Sequence, residues 1–401
     1  MEVRRTKFLF FYHRNDRFID FDRLLEGEVE FTQDKQLLCI ALLLGNEVPI
    51  SDSLFEQLKD IPLDNWVDTN DLHLNDDDLK FAVENGLLIA NQPISDKSQL
   101  FKERDEILRN ENWNIYGALY HFMTKWEDID VKFDIEPLKG KENVDRYSKN
   151  IGKAFDLHGD PLSHFHTAGD FEKRVELPVV DKDNLFYQVL NNRKTTRSFD
   201  VESFMELEDL SVLLRYTFGC HGTLQMHPKL TLLKKNSPSG GSLHPTEVYL
   251  LIIKVKGIKS GIYHYNVETH SLCPISNYTE AESREYAIQF SAGQYYTGDA
   301  HVLFLFTTRY YRNLWKYQQH SKSYSVMIRD AAHLCQNLYL VCAELGLGAF
   351  TAACNTKNIE QALDIDGFKE GVTMLAGCGV PLELEKHNLV EPDYVSYQIK
   401  R

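Results

Sequence analysis

The chain has 401 residues, 43% hydrophobic and 26% charged, which is the balance of a folded protein of two or three domains and not of a disordered one. With 44 Lys and Arg against 59 Asp and Glu, its net charge of −15 repels nucleic acid and anionic membrane and excludes non-specific binding to either. No apolar run approaches the ~20 residues that span a bilayer, and seven cysteines without a C-x-x-C pair read as reduced, mostly buried thiols of a cytoplasmic protein.

The apolar run Phe8-Leu9-Phe10-Phe11-Tyr12 is short for a signal-peptide core and charge follows it, so it reads as a strand of the mature protein. Residues 1–95 form a first unit. Leu37 to Leu43, then Leu54, Phe55 and Leu58, then Leu79, Ala82 and Val83 fit helical spacing. Asn85-Gly86 stops the last of these, and Leu87-Leu88-Ile89 follows as a strand. Helix, helix, helix, strand predicts a winged helix. A DNA-reading helix needs cations for the phosphates, and this unit holds nine Lys and Arg against nineteen Asp and Glu. Peptide or protein docking along the wing, or a purely structural role, are the readings that remain.

Residues 96–180 are a helical and loop connection. Phe101 to Trp126 predicts one helix with Trp113, Tyr116, Leu119, Tyr120 and Met123 on one side. Lys139 to Arg146 reads as a solvated loop. His158, His164 and His166 lie near Asp160 and Asp170, but no Cys or Glu stands at ligand spacing, so a surface or substrate-facing loop is the default reading over a metal site.

From 181 to 401 helices and strands alternate. Leu185 to Asn191 predicts a helix; Val248 to Ile253 and His301 to Phe306 predict strands buried on both faces. Gly261 to Tyr265 and Ser271 to Cys273 predict a hairpin. Tyr324 to Leu345 predicts a long helix with two apolar stripes, ended by Gly346, and Gly371 to Gly379 a last core strand.

Three segments carry chemistry. Arg193-Lys194-Thr195-Thr196-Arg197 offers two forked cations and a hydroxyl to an anionic group. Ser237-Pro238-Ser239-Gly240-Gly241-Ser242-Leu243-His244-Pro245-Thr246-Glu247 is rich in small residues that let backbone approach a flat ligand, and it matches neither a Walker loop nor G-x-G-x-x-G. Lys316-Tyr317 can give or take a proton when desolvated.

In the order R-x-T-x-R-x-F, P-S-G-G-x-L-H-P-T-E, G-I-Y-H-Y, K-Y, Q-N-L-Y-L, G-L-G-A and G-C-G-V-P, the stretch from 181 to 401 resembles the SagB-type dehydrogenases, azoline oxidases of the FMN-dependent nitroreductase superfamily. Trp113, Tyr120-His121, Trp126 and His164-Phe165-His166 resemble a subgroup named peptide maturation dehydrogenases. The resemblance implies an α+β fold, a central mixed sheet flanked by helices, and a homodimer with FMN at the subunit interface. It implies a modified precursor peptide as substrate and other peptide-modifying enzymes as partners, with no role for nucleic acid or membrane.

It further implies that Arg193, Lys194, Thr195 and Arg197 reach the FMN phosphate, ribityl chain and ring edge, and that Ser239, Gly240, Ser242 and His244 contact the flavin from the other subunit. Ala352, Ala353 and Cys354 would face N5, and Lys316 and Tyr317 would move the proton. The sequence departs from the pattern at three places. Lys386 and His387 stand in for a C-terminal Lys/Arg pair, Ala353-Cys354 for Glu-Gly, and His244-Pro245 for Gln-Pro. Oxidation of azolines to azoles is the leading reading. Reduction of dehydroamino acids and plain nitro or quinone reduction are the alternatives.

Overall fold

The structure, a computed structural model, describes residues 1–19, 31–130, 155–156, 159–166, 168–180 and 182–382. Lys139 to Arg146, His158, Lys386 and His387, for which the sequence suggested a loop, a histidine cluster and a phosphate contact, lie outside the described residues.

The N-terminal strands are β1 (Glu2–Arg5), β2 (Leu9–Ile19), β3 (Phe31–Ala41), β4 (Asn46–Pro49), β5 (Val67–Asp68) and β6 (Leu88–Ala90), with helices α1 (Asp52–Leu58) and α2 (Asp76–Glu84) among them. They make two antiparallel sheets, β5-β1-β6 and β2-β3-β4. Both sheets share one core with the two helices, through Val3, Cys39, Ala41, Leu54, Leu58, Ala82 and Leu88. The expected three-helix order is therefore corrected: Leu37 to Ala41 belong to a strand. Their spacing fits either period, and pairing with β2 and β4 on both sides decides for the strand.

The expected single helix from Phe101 to Trp126 is two, α3 (Asp96–Asn110) and α4 (Ile115–Met123). The break lies at Asn112, at φ 56°, and Asn114 caps the second helix by accepting from the Tyr116 and Gly117 N–H groups.

The rest of the chain is built on α5 (Leu185–Asn192), α6 (Leu207–Thr217), an exposed hairpin of β7 (Gly222–His227) and β8 (Leu230–Lys234), β9 (Thr246–Ile252), β10 (Gly261–Asn266), β11 (Ser271–Asn277), α7 (Glu280–Phe290), β12 (Val302–Arg309), α8 (Tyr310–Tyr317), α9 (Ser323–Glu344), β13 (Gly348–Ala352), α10 (Thr356–Ala362) and β14 (Glu370–Gly379). The central sheet runs β11-β10-β9-β12-β14-β13. Every named strand pair in it is antiparallel, which corrects the expected mixed sheet; among the described residues parallel pairing is confined to two isolated bridges, Thr195 to Ala349 at the β13 edge and Met205 to Val255 beyond β9.

Both faces of this sheet are covered. Leu250, Ile252, Phe304 and Phe306 face a core with Leu334, Leu338 and Cys342 of α9 and Leu213 of α6. Leu251, Ile253, Leu303 and Leu305 face the other core, with Ala287 and Phe290 of α7 and Ile359 of α10. Alternate residues thus go to opposite cores, which is why the strands read as unbroken apolar runs. Each such Leu or Phe contributes roughly 1.5–3 kcal/mol on burial.

Candidate functional site

The small-residue loop is tied at both ends. At its start, three polar residues on one stripe of α9 hold it. Asp330 accepts from the Ser239 hydroxyl at 2.6 Å and from the Gly240 N–H at 3.2 Å. His333 Nδ1 lies 3.3 Å from the Pro238 carbonyl, and Asn337 donates to Ser237 Oγ at 2.7 Å. At its end, Arg312 of α8 donates to the His244 carbonyl and to Glu247, both at 2.7 Å.

Close approach requires glycine at 240, and the backbone conformation requires it at 241. A Cβ on Gly240 would stand 2.3 Å from Val326 Cγ1. At Gly241, where φ is +67°, it would stand 2.8 Å from both Lys316 Nζ and the Tyr317 hydroxyl oxygen. The predicted pair therefore converges on the loop. Lys316 also lies 5.5 Å from the centroid of the Tyr317 ring.

Buried groups under the loop have shifted titrations. Burial, reinforced by Lys235, pushes His244 down to about 4, so its imidazole is neutral near pH 7. Burial raises Asp330, against the Ser239 and Gly240 hydrogen bonds. Burial also acts to raise Glu247, but His264 and Arg312 outweigh it and hold the carboxyl at about 2. A cavity beneath is lined by Lys235, Ser237, His244, Thr246 and Asp330 among others, and Thr246 Oγ1 is buried there without a hydrogen-bond partner among the described residues.

The arginine segment lies elsewhere on the chain. Arg193 follows α5, and its backbone continues along β13: Thr195 bridges Ala349, and the Thr196 N–H donates to the Ala349 carbonyl at 2.8 Å. Gly348 permits this, since a Cβ there would meet Thr196 at 2.6 Å. Thr195 Oγ1 is 3.5 Å from the Tyr339 hydroxyl, Arg193 sits 5.7 Å from the Tyr339 ring centroid and Arg197 5.7 Å from that of Tyr296. No described carboxylate pairs with either guanidinium. Lys194 is exposed. Ala352 ends β13, and Ala353 and Cys354 follow, with the Cys354 thiol pushed up to about 11 by burial.

Asp330 and Tyr339 lie nine residues apart on α9, about 13 Å along its axis. The loop with Lys316 and Tyr317 is anchored at the first and the arginine segment at the second. The exposed residues of the loop are Pro238 and Gly241, with Ser242 half-buried, whereas Ser239 Oγ and the Gly240 N–H are engaged with Asp330. Arg312 and Tyr296 were not singled out by sequence, and Asp330, Asn337 and Tyr339 were read only as part of the α9 run, without a role of their own. The 3-4 spacing of Asp330, His333 and Asn337, a polar stripe beside two apolar ones, was the available signal.

His164 and His166 are exposed, and among the described residues no group of His, Cys, Asp and Glu is placed to hold a metal. Among them, too, no helix is long and apolar enough to cross a membrane. All seven cysteines are free thiols, with Cys39, Cys335, Cys342 and Cys378 buried and Cys273 exposed.

Residues 190–380, the stretch that holds the central sheet and both anchored segments, match the model of the nitroreductase family. The trifolitoxin-processing protein TfxB of Rhizobium leguminosarum bv. trifolii is 29% identical over 217 residues, 52% of this chain and 57% of TfxB. The chain thus spans little more than half the length of that relative. Among solved structures, the Escherichia coli microcin synthetase McbBCD complex with truncated pro-MccB17 bound is similar at 18% identity, with a TM-score of 0.39, over 59% of this chain and 94% of that one. An FMN-dependent nitroreductase of Clostridium difficile is similar at 15% identity, with a TM-score of 0.32, over 52% of this chain and 92% of that one.

The residues present fit FMN. Two guanidiniums without carboxylate partners among the described residues suit a phosphate and the electron-rich edge of a flavin. The loop exposes backbone at Gly241 beside two proton-bearing side chains, and the Thr246 hydroxyl beneath it lacks a partner among the described residues.

Proposed function

We propose that the chain is an FMN-dependent oxidoreductase that acts on a ribosomally made peptide during its maturation and oxidises azolines to azoles. The observation that carries this reading is the convergence of Lys316 Nζ and the Tyr317 hydroxyl on Gly241. An azoline oxidase must take a proton from the α-carbon as hydride leaves the β-carbon, and this loop offers an acid/base pair beside a backbone that a flat ring can approach. FMN, when bound, supplies the hydride acceptor. Arg193 and Arg197, with Lys194 and Thr195, would hold its phosphate and ring edge. Ser242, half-buried next to the exposed Gly241, would contact it. Ala352, Ala353 and Cys354 would line its other side. Cys354, a neutral thiol, would not act as a nucleophile there.

In one chain the loop and the arginine segment have separate anchors, which suits a homodimer whose partner supplies the missing half. Exposed Leu185, Phe186 and Leu190 on α5, next to Arg193, fit the same reading, because an amphipathic helix with no buried residue lacks a cover among the described residues. The acidic unit of residues 1–95 would dock the peptide, with a basic segment of it favoured. Incubation with a synthetic azoline peptide tests the proposal. Loss of two hydrogens from the peptide, dependent on FMN, is the expected result; bound FMN with an unchanged azoline, whatever electron acceptor is added, refutes it.

A further inference from the structure

The nitroreductase-family match begins at residue 190, yet the turn that carries Lys316 and Tyr317 is gripped from before it. That turn is strained. Gln318, next after Tyr317, has φ 47° and ψ −134°, a conformation that non-glycine residues keep only when their surroundings enforce it. Its own hydrogen bond reaches back to the Leu314 carbonyl at 2.7 Å. Asn114, at the start of α4, donates to the Gln319 carbonyl at 2.7 Å.

Seven residues along α4, His121 ties both flanks of the turn. Its Nε2 lies 3.0 Å from the Gly367 carbonyl, which can only accept, so Nε2 carries the proton. Nδ1 then accepts from the Tyr324 hydroxyl at 2.9 Å. The Tyr310 hydroxyl lies 3.1 Å from Nε2. Tyr310 opens α8 and Tyr324 stands in the first turn of α9, so one imidazole spans the helix that ends at Tyr317 and the helix that follows. Burial first, and Lys125 second, push this imidazole well below its ordinary pKa and keep it neutral. Trp113 stacks on His121 with ring centroids 5.5 Å apart and packs on Tyr310 at 4.6 Å. Gly117 is closed against α9, since a Cβ there would meet Tyr324 Cβ at 2.9 Å.

We propose that His121 is a positioning residue that, with Asn114, fixes the Lys316–Tyr317 turn from the segment preceding the nitroreductase-family match. Its relevance to proton transfer rests on the role proposed above for Lys316 and Tyr317. The placement itself does not, and is tested without flavin, peptide or turnover.

A 3-fluorotyrosine at position 317 of the full chain gives a fluorine NMR signal that reports the ring's surroundings. In His121→Phe, and in the milder Tyr324→Phe, the signal moves and broadens. In His121→Asn, whose side-chain oxygen stands close to where Nδ1 accepts, part of the movement is reversed. Leu54→Ala, which opens a cavity in the separate N-terminal core, leaves the signal in place. A folded Tyr324→Phe or His121→Phe protein with the wild-type signal overturns the proposal. So does equal movement in Leu54→Ala, which marks general loosening. With FMN and an azoline peptide, the same His121 and Tyr324 variants lower kcat and leave KM unchanged. A fluorine shift with wild-type kcat refutes the catalytic role of the pair and leaves His121 as the holder of the turn.

Discussion

Asp330 accepts from the Ser239 hydroxyl at 2.6 Å, and the same carboxylate receives the Gly240 N–H, so the small-residue loop is fastened to the long helix by one buried acid. Hydrogen bonds to a charged group are worth about 1.5–3 kcal/mol each, and an abandoned buried acceptor adds a desolvation cost. Asp330→Ala is therefore expected to loosen the loop and weaken FMN binding by about tenfold or more. Asp330→Asn, which can still accept one bond, loses less. Titration of the apoprotein with FMN checks both.

Arg197 lies over Tyr296 without a carboxylate partner among the described residues. Arg197→Ala is expected to weaken FMN binding or lower its reduction potential, with the lost charge-assisted bond worth about 1.5–3 kcal/mol. Flavin content and spectroelectrochemical titration provide the readout. Both quantities unchanged would remove Arg197 from the site.

His244 gives a pH dependence of definite sign. In the unfolded chain it binds a proton near its ordinary 6.5, but in the folded chain only near 4. Between those values unfolding takes up a proton, so this residue's contribution to stability is full above about 6.5 and is lost as pH falls toward 4. The loss amounts to about 3 kcal/mol at most. His244→Gln can keep the bond to the Leu233 carbonyl and cannot titrate, so its stability should fall less over the same window. Urea unfolding of both proteins across that range measures the difference.

Lys125 donates to both oxygens of Glu360 at 2.9 Å, and both side chains are less than a tenth exposed. The pair joins the segment after α4 to α10. Lys125→Met leaves the carboxylate buried and unpaired, at an expected cost of about 3–5 kcal/mol. Lys125→Met with Glu360→Leu together should recover much of it. Thermal unfolding of the single and double variants decides.

Much of the C-terminal half was legible because its signals are long. Twenty-odd residues at 3-4 spacing can only be α9, and Gly346 at φ 72° ends it as read. β9, β12 and β14 were legible as apolar runs, yet a run covered on both faces says nothing of strand direction, so the antiparallel pairing was not. The short run Leu37 to Leu43 fits either period, and only its neighbours β2 and β4 settle it. The site was legible as segments and not as contacts. The small residues of the loop were read as room for a ligand, but Gly240 is also demanded by Val326 and Gly241 by its backbone conformation. His121 meets Tyr310 and Tyr324 across some two hundred residues of sequence, a distance no local pattern encodes.

Lys316 and Tyr317 converging on Gly241 is the centre of the account, and proton removal from an azoline α-carbon tests it most directly. With an α-deuterated azoline peptide, the FMN-loaded protein should show a primary isotope effect on azole formation. Lys316→Ala and Tyr317→Phe should retain FMN and form azole about 10²–10⁴-fold more slowly. Wild-type rates of α-deuteron loss and azole formation in both variants would contradict it.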